Sequence, residues 1–206
     1  MKEKEIKIFC DAVIEANAKT TAKILKKRHA NPNACTAHMP ILIYTILNRH
    51  APIAAQLIAH PMINLNQRAG SKDKSAAMHY AVSWLPNFVE KMLERQADPN
   101  IQDAKGNTPL HHAAQQAFNF SDEMPALRAL LADHRTDVLI KNNRGETAYD
   151  VASDLAKKEL EKHPYVKKFI LQTQTSRQQG FNSKAESKPA KAISQHKPSR
   201  GSKLKL

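Results

Sequence analysis

The feature that most constrains this fold is a turn-and-helix signature over residues 100–116, NIQDAKGNTPLHHAAQQ. Gly106 lies in the turn, where a glycine can adopt positive φ at little steric cost. Thr108 is suited to cap a helix through its hydroxyl, and Pro109 suits the first helical turn, whose N–H groups have no intrahelical partner. The spacing therefore predicts a tight turn followed directly by a helix.

The helix that follows has one narrow apolar face. Leu110, Ala113 and Ala114 stand at positions i, i+3 and i+4, and the two alanines let a second helix approach closely. A single such unit cannot bury its own apolar face, so neighbouring units must stack on it.

Prolines indicate where those neighbours are. Each of four prolines stands just before a short apolar helix face, and they are separated by 34, 39 and 39 residues: Pro52, Pro86, Pro125 and Pro164. Because proline is favoured at the first helical position, we expect each to start the second helix of a unit.

Residues 108–114, Thr-Pro-Leu-His-His-Ala-Ala, match the T-P-L-H-x-A-A hallmark, and the chain resembles the ankyrin repeat from about residue 1 to 171. The resemblance implies an all-α solenoid of about five stacked helix-turn-helix units with short hairpin tips. The last unit departs from the repeat pattern, and we expect it to have a lengthened first helix. The expected units are residues 1–35, 36–66, 67–102, 103–141 and 142–171.

The pattern stops at residue 172. Residues 172–206 are rich in Ser, Gln, Lys and Pro, and we expect them to be a disordered tail, because they cannot bury enough surface to offset the entropy of ordering. The tail holds eight Lys or Arg against one Glu, so it carries +7 of the net charge of +13. It is either a weak binder of nucleic acid or another anionic surface, or a solvated linker or targeting signal.

Composition supports a folded helical body without a membrane span. The chain has 206 residues, of which 41% are hydrophobic and 5% aromatic, with 5 glycines, which argues against a β-sandwich. Its two cysteines, Cys10 and Cys35, predict reduced thiols in a cytoplasm. No run of 18 apolar residues occurs, and the first residues do not form a secretory signal. A second hypothesis is export into a host cell by a specialised secretion system.

Catalytic and metal-binding signatures are absent from the sequence. It contains no G-x-S-x-G, no P-loop, no G-x-G-x-x-G, no H-x-x-x-H and no C-x-x-C. His79 and His111 occupy the hallmark histidine position, where the resemblance implies a structural hydrogen bond to a neighbouring turn. We therefore expect no enzymatic activity, cofactor or metal.

The resemblance implies instead a monomer that binds another protein through a concave face, made of hairpin tips and exposed positions of the first helices. Carried over position by position, the predicted contact residues are Ile43, Leu47, Lys72, Asp73, Tyr80, Trp84, Lys105, Asn107, His112, Gln116, Arg144 and Glu146. Trp and Tyr are frequent interface hot spots, so Tyr80 and Trp84 stand out.

The sequence allows two interpretations for Trp84 and two for a pair of phenylalanines. Trp84 either lies on the binding surface or packs against the irregular second unit. Phe118 and Phe120 lie in a polar insertion, where they either contact a partner or fold back onto the helices.

Overall fold

The structure, a computed structural model, describes residues 3–27, 30–36, 39–70, 72–116 and 124–172. By its internal contacts the chain divides into two compact parts, Met1–Lys167 and Lys168–Leu206. The described helices are α1 (Glu3–Ile14), α2 (Ala18–Leu25), α3 (Ile41–Leu47), α4 (Ala51–Ala59), α5 (Ala77–Trp84), α6 (Val89–Glu94), α7 (Pro109–Gln116), α8 (Pro125–Ala132) and α9 (Asp154–Leu160). A further helix, α10, begins at residue 164 and is described to residue 172.

The helices pack in two layers. In the layer of first helices, α3 packs between α1 and α5, and α5 packs on α7. In the layer of second helices, α2 contacts α4 and α6 contacts α8. The predicted apolar face of α7 is confirmed: Leu110, Ala113 and Ala114 are all buried. Burying such faces on successive units gives one continuous core.

The four prolines stand where their spacing predicts. Pro52 is in the first turn of α4, and Pro125 is the first residue of α8. Pro86 opens a short 3-10 turn, Pro86–Phe88, that leads into α6. Pro164 is the first residue of α10. The prediction that prolines mark the second helices is confirmed.

Within the described residues, the structure has one pair of short strands, which lies before α3. Strand β1 (Cys35–Thr36) pairs antiparallel with β2 (Met39–Pro40), with Cys35 opposite Pro40. An isolated bridge joins Arg68 to Ala76 at the next tip. These are the short hairpins that the resemblance implies between stacked helix pairs.

The turns that follow the second helices are linked by asparagine side chains. The Oδ1 atom of each asparagine accepts a hydrogen bond from a backbone N–H about one repeat further along. The bonds run from Asn64 to Asn33 (2.6 Å), from Asp98 to Asn66 (2.9 Å) and from Asp137 to Asn100 (2.8 Å). We propose that each of these turns ends one unit, because the same contact recurs along the array.

The last unit differs from its prediction. Instead of one lengthened first helix, a single turn over residues 148–151 is followed by the separate helix α9. Ser153 has an extended backbone, and its hydroxyl accepts a hydrogen bond from the Ala156 N–H. This side-chain cap starts a new helix at Asp154, so the preceding turn cannot continue into it.

Lys74 occupies a backbone position that elsewhere in the array belongs to glycine. Gly106 and Gly145, at the equivalent place in the next two tips, have φ of 75° and 77°, and Lys74 has φ of 50°. The left-handed region is strained for a residue with a Cβ atom, so this tip is held at an energetic cost.

We therefore expect Lys74→Gly to raise the free energy of unfolding by about 0.5–1 kcal/mol, since relief of strain exceeds the added entropy of glycine in the unfolded chain. Lys72→Gly is the matched control, because Lys72 is an exposed lysine of the same tip without positive φ. Urea unfolding of both variants checks this. An equal effect of the two substitutions would contradict the strain at Lys74.

Candidate functional site

Three hairpin tips stack edge to edge along one side of the first helices. We call residues 72–75, 103–107 and 142–146 the first, second and third tips. The Ala104 N–H donates to the Asp73 carbonyl at 2.7 Å, and the Asn143 N–H donates to the Lys105 carbonyl at 2.9 Å. The same register is therefore repeated from tip to tip, which aligns the exposed side chains in a row.

Polar side chains close the second and third tips from inside. Asp103 Oδ1 accepts hydrogen bonds from the Lys105 and Asn107 N–H groups, at 2.8 and 2.9 Å. Asn142 Oδ1 accepts in the same way from Arg144 and Glu146, at 2.9 and 3.1 Å. An Asx side chain at this position substitutes for missing backbone partners and makes the tip rigid.

Two buried histidines tie the helices to the tips. His79 Nδ1 accepts from the Ala76 N–H at 3.1 Å, so we assign the proton to Nε2, which donates to the Asn107 carbonyl at 3.1 Å. His111 repeats this arrangement with the Thr108 N–H at 3.2 Å and the Glu146 carbonyl at 3.0 Å. The structural role that the resemblance implies for both histidines is confirmed.

Both histidines are held in the neutral form. Burial is the largest effect, and it lowers the pKa of His79 and of His111 below the ordinary histidine value. In the last unit Asp150 takes the equivalent place, and its carboxylate accepts from the Thr147 N–H at 2.8 Å.

One group of three potential metal ligands comes together within the described residues: His79, Asp103 and His112. His112 Nε2 lies 3.0 Å from Asp103 Oδ2, and the two histidine rings meet edge to face. Burial alone would raise the pKa of Asp103, but hydrogen bonds from His112 and two backbone N–H groups outweigh it and lower that pKa. Both ring nitrogens of His79 are already engaged with the backbone, so this geometry favours a polar link between helix and tip over a metal site.

Two of the predicted contact residues lie inside the protein, which corrects the prediction for them. Ile43 is 0% exposed and belongs to the core, and Asn107 is 8% exposed. At Ile43 the expected register is wrong by one residue, because the second unit departs most from the hallmark. The positions equivalent to Tyr80 and Trp84 are Tyr44, which is half-buried, and Asn48, which is exposed.

The other ten predicted residues are accessible. Lys72, Asp73, Trp84, Lys105 and Arg144 are exposed, and the half-buried residues are Leu47, Tyr80, His112, Gln116 and Glu146. We call the surface formed by Tyr44, Asn48, Tyr80, Trp84, His112 and Gln116 the first-helix face.

Trp84 combines the two interpretations that its sequence context allows. Its side chain is 42% exposed, and the Arg49 guanidinium lies over the ring at 5.0 Å from the centroid. Arg49 follows α3, so Trp84 does contact the second unit, through a cation–π pair that leaves much of the ring exposed. Sequence reasoning missed Arg49, since only the fold brings it to Trp84.

Tyr80 joins the first-helix face to the first tip. Its hydroxyl donates to Asp73 Oδ2 at 2.7 Å. Because α-helical residues rise 1.5 Å each, Trp84 lies about 6 Å further along α5.

The two phenylalanines of the polar insertion, Phe118 and Phe120, lie outside the described residues, and so do residues 173–206.

Comparison with known proteins agrees with this architecture. The ankyrin repeat family model matches residues 105–143, which hold the end of the second tip, α7, α8 and the start of the third tip. Residues 105–143 of this chain are therefore similar to the ankyrin repeat. A Rickettsia felis protein named for its ankyrin repeats is 36% identical over 90 residues, which are 41% of this chain.

This chain spans only part of that relative, since the match covers 38% of its length. Among the described helices, none has the length and apolar character needed to cross a bilayer. Ankyrin repeats generally mediate protein–protein interaction and are typically not enzymes.

Proposed function

We propose that this chain binds a partner protein through the first-helix face and the adjoining tips, without catalysis of its own. The observation that carries the proposal is Trp84, a large aromatic side chain left 42% exposed beside Tyr80 on a rigid helix. Trp, Tyr and Arg are the residues enriched at interface hot spots, and Arg49 completes the set here.

The scaffold beneath these residues is well suited to presenting them. Tyr80 is oriented by Asp73, and Gln116 is oriented by its hydrogen bond to the Ser83 hydroxyl of the neighbouring helix. Side chains held in place before binding lose less conformational entropy when a partner arrives. The first-helix face thus offers an aromatic centre with a polar surround.

The test is the double variant Tyr80→Ala, Trp84→Ala, compared with the wild type in capture of partners from whole-cell lysate. For a captured protein that is then purified, we expect at least a tenfold rise in Kd, since hot-spot truncations cost about 2 kcal/mol each. The matched control is Met62→Ala, Tyr165→Ala, which removes two side chains that are 70% and 69% exposed elsewhere.

Circular dichroism must first show that both double variants are folded. If partners are retained by the Tyr80 and Trp84 variant, or lost equally by the control, the first-helix face is not the binding site. The Arg49–Trp84 pair is then only a packing contact.

Export into a host cell stays part of this proposal. The relative from Rickettsia felis, an intracellular bacterium, is compatible with such a role. Binding of an anionic surface by the basic tail remains a prediction from the sequence, because residues 173–206 lie outside the described part of the chain.

A further inference from the structure

Cationic side chains line the tips and the edge of the first-helix face. Those exposed without a described carboxylate partner are Arg49, Arg68, Lys72, Lys74, Lys105 and Lys141. Arg68 donates to the backbone carbonyls of Lys74 and Gln102, which places its guanidinium between the first tip and the residue that precedes the second tip. One or more cations are therefore available at each of the three tips or beside it.

The carboxylates in the same region are already engaged. Asp73 accepts from the Tyr80 hydroxyl, and Asp103 accepts from His112 and two backbone N–H groups. Glu146 accepts from Arg144 at 2.8 Å and from Asn142 at 3.0 Å. These three carboxylates keep their negative charge, but the six cations named above outnumber them, so the region stays positive.

The stacking of the three tips sets the distance between the cations on neighbouring tips. Neighbouring tips belong to helices that pack about 8–10 Å apart. A nucleic-acid strand carries a charge about every 3.4 Å along its axis, so its phosphates would also approach the carboxylates present at each tip. A protein segment with separated acidic side chains can meet the cations and avoid the carboxylates. The mixed row therefore favours an acidic protein segment over a polyphosphate chain.

We propose that the segment recognised by this chain is acidic, with its Asp or Glu side chains on the tip cations and on Arg49. This inference rests on the proposed function and names the chemistry of its partner. Arg49 lies over the Trp84 ring, so a carboxylate that binds Arg49 changes the environment of the ring directly.

Trp84 is the single tryptophan of the chain, which makes it a local reporter of this site. The full chain is titrated with a synthetic peptide of alternating glutamate and glycine at about 50 mM salt, and tryptophan emission is followed. Because the ring lies beside Arg49, the emission follows binding at this site. We expect a saturable change in the wild type that weakens as salt rises to about 200 mM.

Two triple variants with equal loss of charge give the decisive comparison. One is Lys72→Gln, Lys74→Gln, Lys105→Gln at the tips, and the other is Lys19→Gln, Lys23→Gln, Lys26→Gln on and just after α2, where all three lysines are exposed. We expect the tip variant to weaken the emission-detected affinity at least tenfold, and the α2 variant to change it less than twofold.

Three outcomes would overturn the inference: no emission change with the peptide, equal weakening in both variants, or a response to single-stranded oligothymidylate but not to the peptide. The proposed function is tested separately by the Tyr80 and Trp84 variant. If that variant loses its partner while the peptide has no effect, the first-helix face binds a protein that is not acidic.

Discussion

Replacing Gly106 with valine is expected to lower the free energy of unfolding by about 3–5 kcal/mol. One part of this loss is the cost of a left-handed backbone at a β-branched residue, and the other is the steric overlap of the new side chain with its neighbours. Gly106 has φ of 75°, and a Cβ atom there would lie 2.5 Å from Asn143 Oδ1 and 2.7 Å from the Asn143 nitrogen. The third tip would have to move away, which breaks the hydrogen bond from the Asn143 N–H to Lys105.

Gly145→Val is the matched control for this effect. Gly145 has φ of 77°, but nothing lies within 4 Å of the position that its Cβ atom would take. Gly145→Val should therefore lower the free energy of unfolding by only the cost of the left-handed backbone, about 1–2 kcal/mol. Urea unfolding followed by circular dichroism measures both variants, with Gly106→Ala as a milder substitute if the valine variant does not fold. Equal losses at the two glycines would show that contact between the tips does not matter.

His111→Ala is expected to cost about 2–4 kcal/mol, because it leaves buried polar groups without partners and opens a cavity. The imidazole is 1% exposed and bonds both the Thr108 N–H and the Glu146 carbonyl, so its loss disconnects α7 from the third tip. His112→Ala, at the neighbouring half-buried position, should cost clearly less. Similar losses for the two histidines in urea unfolding would contradict the bridging role of His111.

The same histidine makes stability depend on pH. The pKa of His111 is lowered in the folded protein, chiefly by burial, so the unfolded chain binds more protons at mildly acidic pH. The stabilisation is complete above the ordinary histidine pKa of about 6.5 and is lost as the pH falls through that value toward the folded pKa. Unfolding at about pH 7.5 and about pH 5.5 should therefore show a smaller acid-induced loss in His111→Ala than in the wild type.

Much of the fold can be predicted from local signals. Gly106 in the turn, Pro109 at the start of α7 and the apolar face behind it depend only on backbone freedom and helical spacing. The recurrence of proline identifies the second helices for the same local reason. Where a unit departs from the hallmark, local reasoning fails: at Ile43 it assigned a core residue to the surface.

The sequence by itself determined the repeat, its approximate period and its helix starts, since these rest on local signals that recur along the chain. The structural role of His79 and His111 came only from the resemblance to the ankyrin repeat, because their partners Asn107 and Glu146 lie 28 and 35 residues away. Only the tertiary structure decided which polar groups meet across units. It placed Arg49 over Trp84 and Lys74 in a left-handed turn, and it engaged Asp73, Asp103 and Glu146 within the tips. The physical reason is that stacking sets the register between units, and that register decides which charges are exposed to a partner.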